Sequence, residues 1–442
     1  PGFVVTGRHW CYISQDSIAG HTSDIQQPQC WGNVWIYRTD NVYLGGGITG
    51  PVGGLGEGYF SIDIGSNPYP KGFYVVMTPY TSACRVVKPD ETDYASYSPN
   101  FYPSSGATSY DVGGWQPPGT WDYLGAWRIY QSIAQDHYDR GAWDFMANEG
   151  PGYSPAAFAL RVRFKMPSGH GTHIHLSPGS GVIDIDTEAY SRALDIAQHE
   201  YGHWIMYSAY GYYWPPGAGG SHSINRISNA ALAWTEGWAD VFPLIVQSYG
   251  RWEDWYFEWG QGSIYDLETC PDCDAGDRCE GRVAGTLWDV FDAHIDSRDY
   301  FVINLPWHNP NNFLVIWSVL STQTDDNYSQ FYEAWRTKGK DRHLLNYCSY
   351  QNTINYNNSP FLDNGYVTPS SGYTNTKFTF YVIYQDADRD PPGPTSQSSL
   401  RSESNPYGWV RLYVYDGAWV YYAMAHYLSL IHISEPTRQA EI

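Results

Sequence analysis

Near residue 125 the hydrophobic period of this chain changes, and few architectures accommodate both halves of the change. Before it, short apolar runs such as NVWIYR, GYFSIDI and GFYVVMTPY are separated by Gly, Pro and Asn clusters. That is the pattern of a small antiparallel β domain, expected over residues 1–90. Residues 91–124 are dense in Pro, Gly, Ser and Tyr, lack a period, and read as a linker or long loop. From Ala126 onward AWRIYQSIAQDHYDR reads as a helix, FALRVRFKM as a strand, and THIHL with GVIDID as a strand pair around SPGSG. Further helices are expected over ALDIAQHEYGHWIMY, from Ser228 or Asn229 to Tyr249 with a kink or early stop at Pro243, and over RVAGTLWDVFDAHI, NNFLVIWSVLST and YSQFYEAWRTKG. Strand patterns return after about residue 360, in TNTKFTFYVIYQDADRD and GWVRLYVYDGAWVYYAM. The expected fold class is α+β, with a mixed domain at 125–355 flanked by β domains at 1–90 and 360–427.

Composition removes several functions. A formal charge of -21 repels phosphate backbones and anionic lipid, so neither nucleic acid nor a membrane surface is an expected partner. No apolar run approaches the roughly 18 to 20 residues of a transmembrane helix. Tyr and Trp are abundant (40 and 20) while charged residues make up 16%, a balance that suits a folded, β-rich extracellular protein better than a disordered one. The start at Pro1 fits a mature chain without its signal peptide or a fragment of a longer reading frame. Cys270, Cys273 and Cys279 in CPDCDAGDRC can form a zinc knuckle or disulfides. With Cys11, Cys30, Cys84 and Cys348 also present, disulfides are preferred, which places the protein outside the cell or on its surface.

The chemistry concentrates in HEYGH, residues 199–203. Four residues on a helix bring His199 and His203 to one face, one turn apart, where both can grip one zinc ion at about 2.0 to 2.1 Å. Glu200 then stands beside the ion as general base for a zinc-activated water attacking a carbonyl. Met206 and Ala209 occupy the places where a metzincin carries Gly and His, so the third ligand must come from elsewhere. In ALAWTEGWADVF, Glu236 can supply it while Asp240, one turn on, orients His199. His222 is a weaker competitor for that ligand position. His173 and His175, with His170 nearby, can hold a second metal, but solvent-facing edge histidines are the preferred reading.

HEYGH followed by EGWAD resembles the fungalysin-type metallopeptidases, relatives of thermolysin among the gluzincins. The resemblance spans residues 125–355 and implies a secreted zinc endopeptidase acting on peptides and proteins. By it, His199, His203 and Glu236 are ligands, Glu200 is the base and Asp240 supports His199. Relatives place an oxyanion-stabilising histidine before a helix like RVAGTLWDVFDAHI. Arg282 stands there in this chain and takes that assignment, with His294 or a tyrosine as the alternative. The interval between His203 and Glu236 is longer than in thermolysin, so GYYWPPGAGGSHSINRISN reads as an insertion over the cleft. THIHL resembles the edge on which thermolysin-like enzymes align a peptide as an added strand.

Residues 1–90 resemble the prealbumin-like modules attached to secreted peptidases, and residues 360–427 resemble a truncated Ig-like sandwich of extracellular prokaryotic proteins. Asp386, Asp388 and Asp390 can hold Ca2+, but a solvated turn is preferred because the Gly and final Glu of an EF-hand are missing. LSLIHISEPTRQAEI, at 428–442, resembles translated sequencing adapter and is expected to have no selected contacts. The alternatives to a peptidase are an extracellular binding or adhesion protein with a vestigial metal site, and a zinc hydrolase of another amide.

Overall fold

Exposed and buried side chains alternate one by one along Tyr59–Asp63, as they must in a strand with one wet face. The computed structural model describes residues 2–14, 24–28, 32–50, 58–115, 121–134, 141–153, 160–167, 169–186, 194–249, 256–259, 263–292, 313–340, 342–356, 361–368, 379–385, 411–415, 419–423 and 437–441. Residues 1–354 form one compact unit and 355–442 a second. Content is mixed α and β in several sheets, in agreement with an α+β class.

The first unit opens with β1 (Val4–Ser14), β2 (Asp24–Pro28), β3 (Asn33–Arg38), β4 (Tyr43–Ile48), β5 (Tyr59–Asp63), β6 (Phe73–Thr78), β7 (Cys84–Val87), β8 (Ser96–Tyr97) and β9 (Ser109–Trp115). One sheet has the order β2-β1-β5 with β9 added in parallel on β1, and another runs β4-β3-β6-β8. Phe73 bridges them: its ring lies 6.3 Å from Phe3 and 5.6 Å from Tyr110 on β9. Val5, Val34, Ile36, Phe60 and Val75 are buried around it. Since β8 and β9 are paired strands, the stretch expected to be a linker is built into the sheets. β9 does alternate, with Tyr110 and Val112 half-buried between exposed Ser109, Asp111 and Gly113, but the run is short and lies among Pro, Gly and Ser residues that read as a loop.

Next come α1 (Trp121–Ile133), α2 (Ala142–Glu149), β10 (Leu160–Phe164), β11 (His173–Ser177) and β12 (Ser180–Ile185). The third sheet has the order β11-β12-β10-β7. THIHL and GVIDID do form the expected antiparallel pair, in the register His173 to Asp184 through Ser177 to Ser180. β7 lies within the stretch assigned on sequence to the N-terminal domain, yet it pairs in parallel with β10. Its CRVV run is almost wholly buried, and a short continuous apolar run carries no period that would reveal its sheet.

α3 (Leu194–Ala209) packs on β11 and β12, and α4 (Ala230–Ser248) packs on α3; β13 (Tyr256–Glu258), β14 (Ile264–Asp266), α5 (Glu280–Phe291), α6 (Phe313–Leu320), α7 (Tyr328–Thr337) and α8 (Arg342–Gln351) follow. Asn229 caps α4, its side chain accepting from the Leu232 N–H at 2.9 Å, so the helix begins at the second of the two starts expected for it, Ser228 or Asn229. Pro243 does not end the helix. α4 is buried on all sides from Leu232 to Val246, and packing carries it past the one N–H that proline lacks. Trp204, Trp234, Trp238, Trp288, Trp317 and Trp335 are nearly all out of water in this half, at about 1.5–3 kcal/mol of burial for each large apolar side chain.

In the second unit β15 (Phe361–Thr368), β16 (Thr379–Gln385) and β19 (Thr437–Glu441) form one antiparallel sheet, and β17 (Arg411–Tyr415) with β18 (Trp419–Ala423) a hairpin. β19 lies in the tail expected to make no selected contacts, and it pairs with β16 over Thr379–Ile383. An open strand edge accepts almost any extended backbone. Asp386, Asp388 and Asp390, and the side chains of Cys11 and Cys30, lie outside the described residues. Among the described residues no helix is long and apolar enough to cross a membrane.

Candidate metal centre

α3 and α4 approach closely at Gly202, the fourth residue of HEYGH. A Cβ there would come within 3.3 Å of the Phe242 side chain and 3.4 Å of the Ala239 backbone, and Trp238 Nε1 donates to the Gly202 carbonyl at 3.0 Å. The contact places two pairs with i,i+4 spacing opposite one another. His199 Nε2 lies 3.3 Å, and His203 Nε2 3.1 Å, from the same Glu236 Oε2, and the three ligand atoms are within 4.8 Å of one another. His199 Nδ1 lies 3.0 Å from Asp240 Oδ1, close enough for an ion pair but misaligned for a hydrogen bond.

Zinc fits this set. Ligand bonds of 2.0–2.1 Å give a tetrahedron with edges of about 3.3 Å, and the two His–Glu separations already match it. Glu200, Glu236 and Asp240 are all buried, and among the described residues the ion-pair partners of Glu236 and Asp240 are histidines only. His203 Nδ1 and Asp240 Oδ2 are buried without a hydrogen bond. So much acid in so little water calls for a cation. Burial penalises a charged His199, but Asp240 and Glu236 outweigh it and hold the ring's pKa well above the usual value. Burial also opposes ionisation of Glu236, yet His203 and His199 draw it well below the ordinary carboxylate range. For Glu200 burial wins and its pKa rises despite the pull of His199 and His203.

The stretch expected as an insertion does reach the centre. Trp214 stands edge-on to His203 with ring centres 5.5 Å apart, and Phe257 and Trp259 flank His199 at 5.7 and 5.4 Å. Trp214 Nε1 donates to the Ala218 carbonyl at 2.6 Å, and the Tyr213 hydroxyl donates to Asp326 at 2.6 Å, which pins the segment down. His222, from the same segment, faces the centre: its Nε2 is 3.8 Å from Glu236 Oε2 and its Nδ1 is 2.9 Å from Glu280 Oε2. Burial alone would lower its pKa, but the bond to Glu280 and the field of Glu236 raise it to about 9. His222, Glu236 and Glu280 also form a possible ligand group. The His199–His203–Glu236 set is the tighter of the two and more completely buried.

Glu280 escaped the sequence reading. An acidic residue in a helix's first turn is ordinary, because it suits the positive end of the dipole, and nothing local announces a second role. It reaches His222 because Gly237 lets α5 touch α4: a Cβ at Gly237 would meet the Val283 side chain at 2.8 Å and the Glu280 carbonyl at 2.9 Å.

Arg282 requires a correction. Its guanidinium donates to the backbone carbonyls of Cys273 (3.0 Å), Thr269 (3.2 Å) and Asp274 (3.4 Å), and so it fastens the cysteine loop instead of facing the histidines. Two residues on from Glu280, more than half a turn around the helix, its side chain follows a different face of α5. His294 lies outside the described residues. In the same loop Cys270 and Cys273 are joined in a disulfide, while Cys84, Cys279 and Cys348 are buried thiols.

Residues 156–353 match the family described as the Mycolysin C-terminal domain. This range contains both helices of the centre, and the match supports, at a coarse level, a metallopeptidase of fungalysin and thermolysin kinship. Among curated proteins nothing matches the chain.

Proposed function

We propose that this chain is a zinc-dependent endopeptidase that acts outside the cell on peptides and proteins. The observation that carries the reading is the convergence of His199, His203 and Glu236 at 3.1–3.3 Å in a buried pocket where, among the described residues, the acids find only histidines as ion-pair partners. Zinc held by these three residues supplies a Lewis acid that polarises a carbonyl and lowers the pKa of water. Glu200 accepts the proton of the attacking water and returns it to the leaving nitrogen. Its raised pKa brings it closer to the neutral range in which both transfers are easy. Asp240, behind His199, keeps the ring turned toward Glu236.

His222 takes the oxyanion-stabilising role expected of Arg282. Its Nε2, 3.8 Å from Glu236 Oε2, reaches the centre and can donate to the scissile carbonyl oxygen as charge grows there. Glu280 accepts from Nδ1 and fixes the direction of the donor. Trp214, Phe257 and Trp259 keep bulk water away. β11 ends its sheet, so among the described strands its outer backbone groups face no partner and can pair with an extended peptide. Residence outside the cell accords with the Cys270–Cys273 disulfide.

Zinc-reconstituted protein should cleave an unfolded generic protein substrate, lose that activity to a chelator and regain it on zinc addition. A fully loaded protein that cleaves no member of a diverse peptide library would reject the endopeptidase reading.

A further inference from the structure

Behind the sheet's edge stands another group of histidines. The Gly-His-Gly turn before β11 has both glycines at positive φ (+86° at Gly169, +80° at Gly171), and it swings His170 toward the strand it precedes. His170 Nε2 lies 2.8 Å, and His175 Nε2 3.0 Å, from Asp184 Oδ2. His173 Nε2 lies 3.1 Å from His175 Nε2. Cross-strand register explains the meeting, because His173 is opposite Asp184 and His175 follows it on the same face.

We infer that His170, His173, His175 and Asp184 form a second transition-metal site, of the zinc class, that ties the 169–172 turn to β11 and β12. Three imidazole nitrogens and one carboxylate oxygen, all within 4.8 Å of one another, are the donor number and donor type of a closed tetrahedral site. The separations of 2.8 to 3.1 Å are slightly shorter than the roughly 3.3 Å edge of such a tetrahedron, so binding requires only a small expansion. Two further features are those expected around metal ligands. His173 Nδ1 lies 3.2 Å from the Gly171 carbonyl and donates to it, which leaves the Nε2 lone pair facing the cluster. Asp184, fully buried, is held through two hydrogen bonds from Arg163, 2.6 Å to Oδ1 and 2.7 Å to Oδ2.

A purely structural hydrogen-bond cluster is the competing explanation, and proton counting weakens it. With Nδ1 of His173 as donor, the 3.1 Å contact to His175 needs a proton on His175 Nε2, the same atom that lies against Asp184 Oδ2. One proton then serves two contacts, and Asp184 Oδ2 receives Arg163, His170 and His175 together. A cation at the centre satisfies all four groups at once. The arginine reduces the negative charge available to that cation, so the three neutral imidazoles supply most of the affinity.

Zinc titration of chelator-treated full-length chain separates this site from the first. His170→Ala/His175→Ala changes two side chains that are one-third to one-half exposed, so folding should survive. Wild type is expected to bind two equivalents, the His170→Ala/His175→Ala variant one, and His199→Ala/His203→Ala one. Zinc should also raise the melting temperature of His199→Ala/His203→Ala, since a ligand that binds only the native state stabilises it. If His170→Ala/His175→Ala binds zinc with the wild-type stoichiometry and affinity, the second site is refuted, whatever the first does. If instead wild type binds one equivalent that only the His170→Ala/His175→Ala change abolishes, the second site stands and the peptidase reading falls.

Discussion

At the scale of single residues, two carboxylates in one pocket should fail in different ways. Glu200→Gln keeps His199, His203 and Glu236 and nearly the same volume, so zinc should stay bound while hydrolysis drops by several orders of magnitude for want of a base. Glu236→Ala leaves two imidazoles, and both zinc affinity and activity should collapse together, with a lower melting temperature because metal binding is linked to folding. Metal content and turnover, measured on the same preparations, check both expectations. An active Glu200→Gln protein would remove the base assigned here. The grouping of His199, His203, Glu236 and Asp240 was readable in the sequence because each pair is four residues apart on a helix, where spacing alone puts side chains on one face. His222 and Glu280 are 58 residues apart, on a loop and a helix terminus, and no periodicity links them. Arg282 was assigned by its position before a helix core. That position could not show that the loop Thr269–Asp274 folds back and occupies the guanidinium.

Elements carry the geometry to the site, and small residues decide how near they come. Gly237 faces α5, where an added methyl would meet the Glu280 carbonyl and Val283 closer than atoms allow. In an ordinary exposed helix Gly→Ala gains about 0.5–1 kcal/mol from the unfolded chain's lost freedom. Here the clash is with backbone, so Gly237→Ala should instead destabilise the protein by about 1–3 kcal/mol, the usual cost of overpacking. It should also move Glu280 from His222 and lower activity without removing zinc. Urea unfolding decides the sign, and a stabilised variant would mean that α5 does not sit where its contacts place it. Of the elements, amphipathic helices and alternating strands were legible. α4 starts just after Asn229 and reaches Ser248, close to its expected bounds, and the β11–β12 pair was visible in the flanking turn residues. β7 and β8 were not, since the first is too short and uniformly apolar to show a period and the second is two residues long.

Across the whole first unit, the N-terminal strands and the helical half share an interior, and His9 lies in that seam. Its ring is fully buried on β1, 4.7 Å from the ring of Trp127 on α1. Burial pushes its pKa from 6.5 down to about 3. Above pH 6.5 the ring is neutral in both folded and unfolded chains and costs nothing. Between 6.5 and about 3 only the unfolded chain takes the proton, so stability is lost on acidification at up to about 1.4 kcal/mol per pH unit, a few kcal/mol in all. Asp325 acts with the opposite sign. Burial raises it from 3.8 to about 6, so the folded chain holds the extra proton between those values and gains stability as pH falls through them. The wild-type curve therefore mixes both groups, and the difference between wild type and His9→Phe isolates the histidine. Phenylalanine is larger, so the variant's absolute stability will shift through packing, but a packing change does not vary with pH. The expected result is a stability gap that moves in favour of His9→Phe by a few kcal/mol between pH 7 and about pH 4, read from urea midpoints at each pH. A gap that stays constant over this range would mean that His9 titrates as it does in water, and that the seam between the strands and α1 is open to solvent.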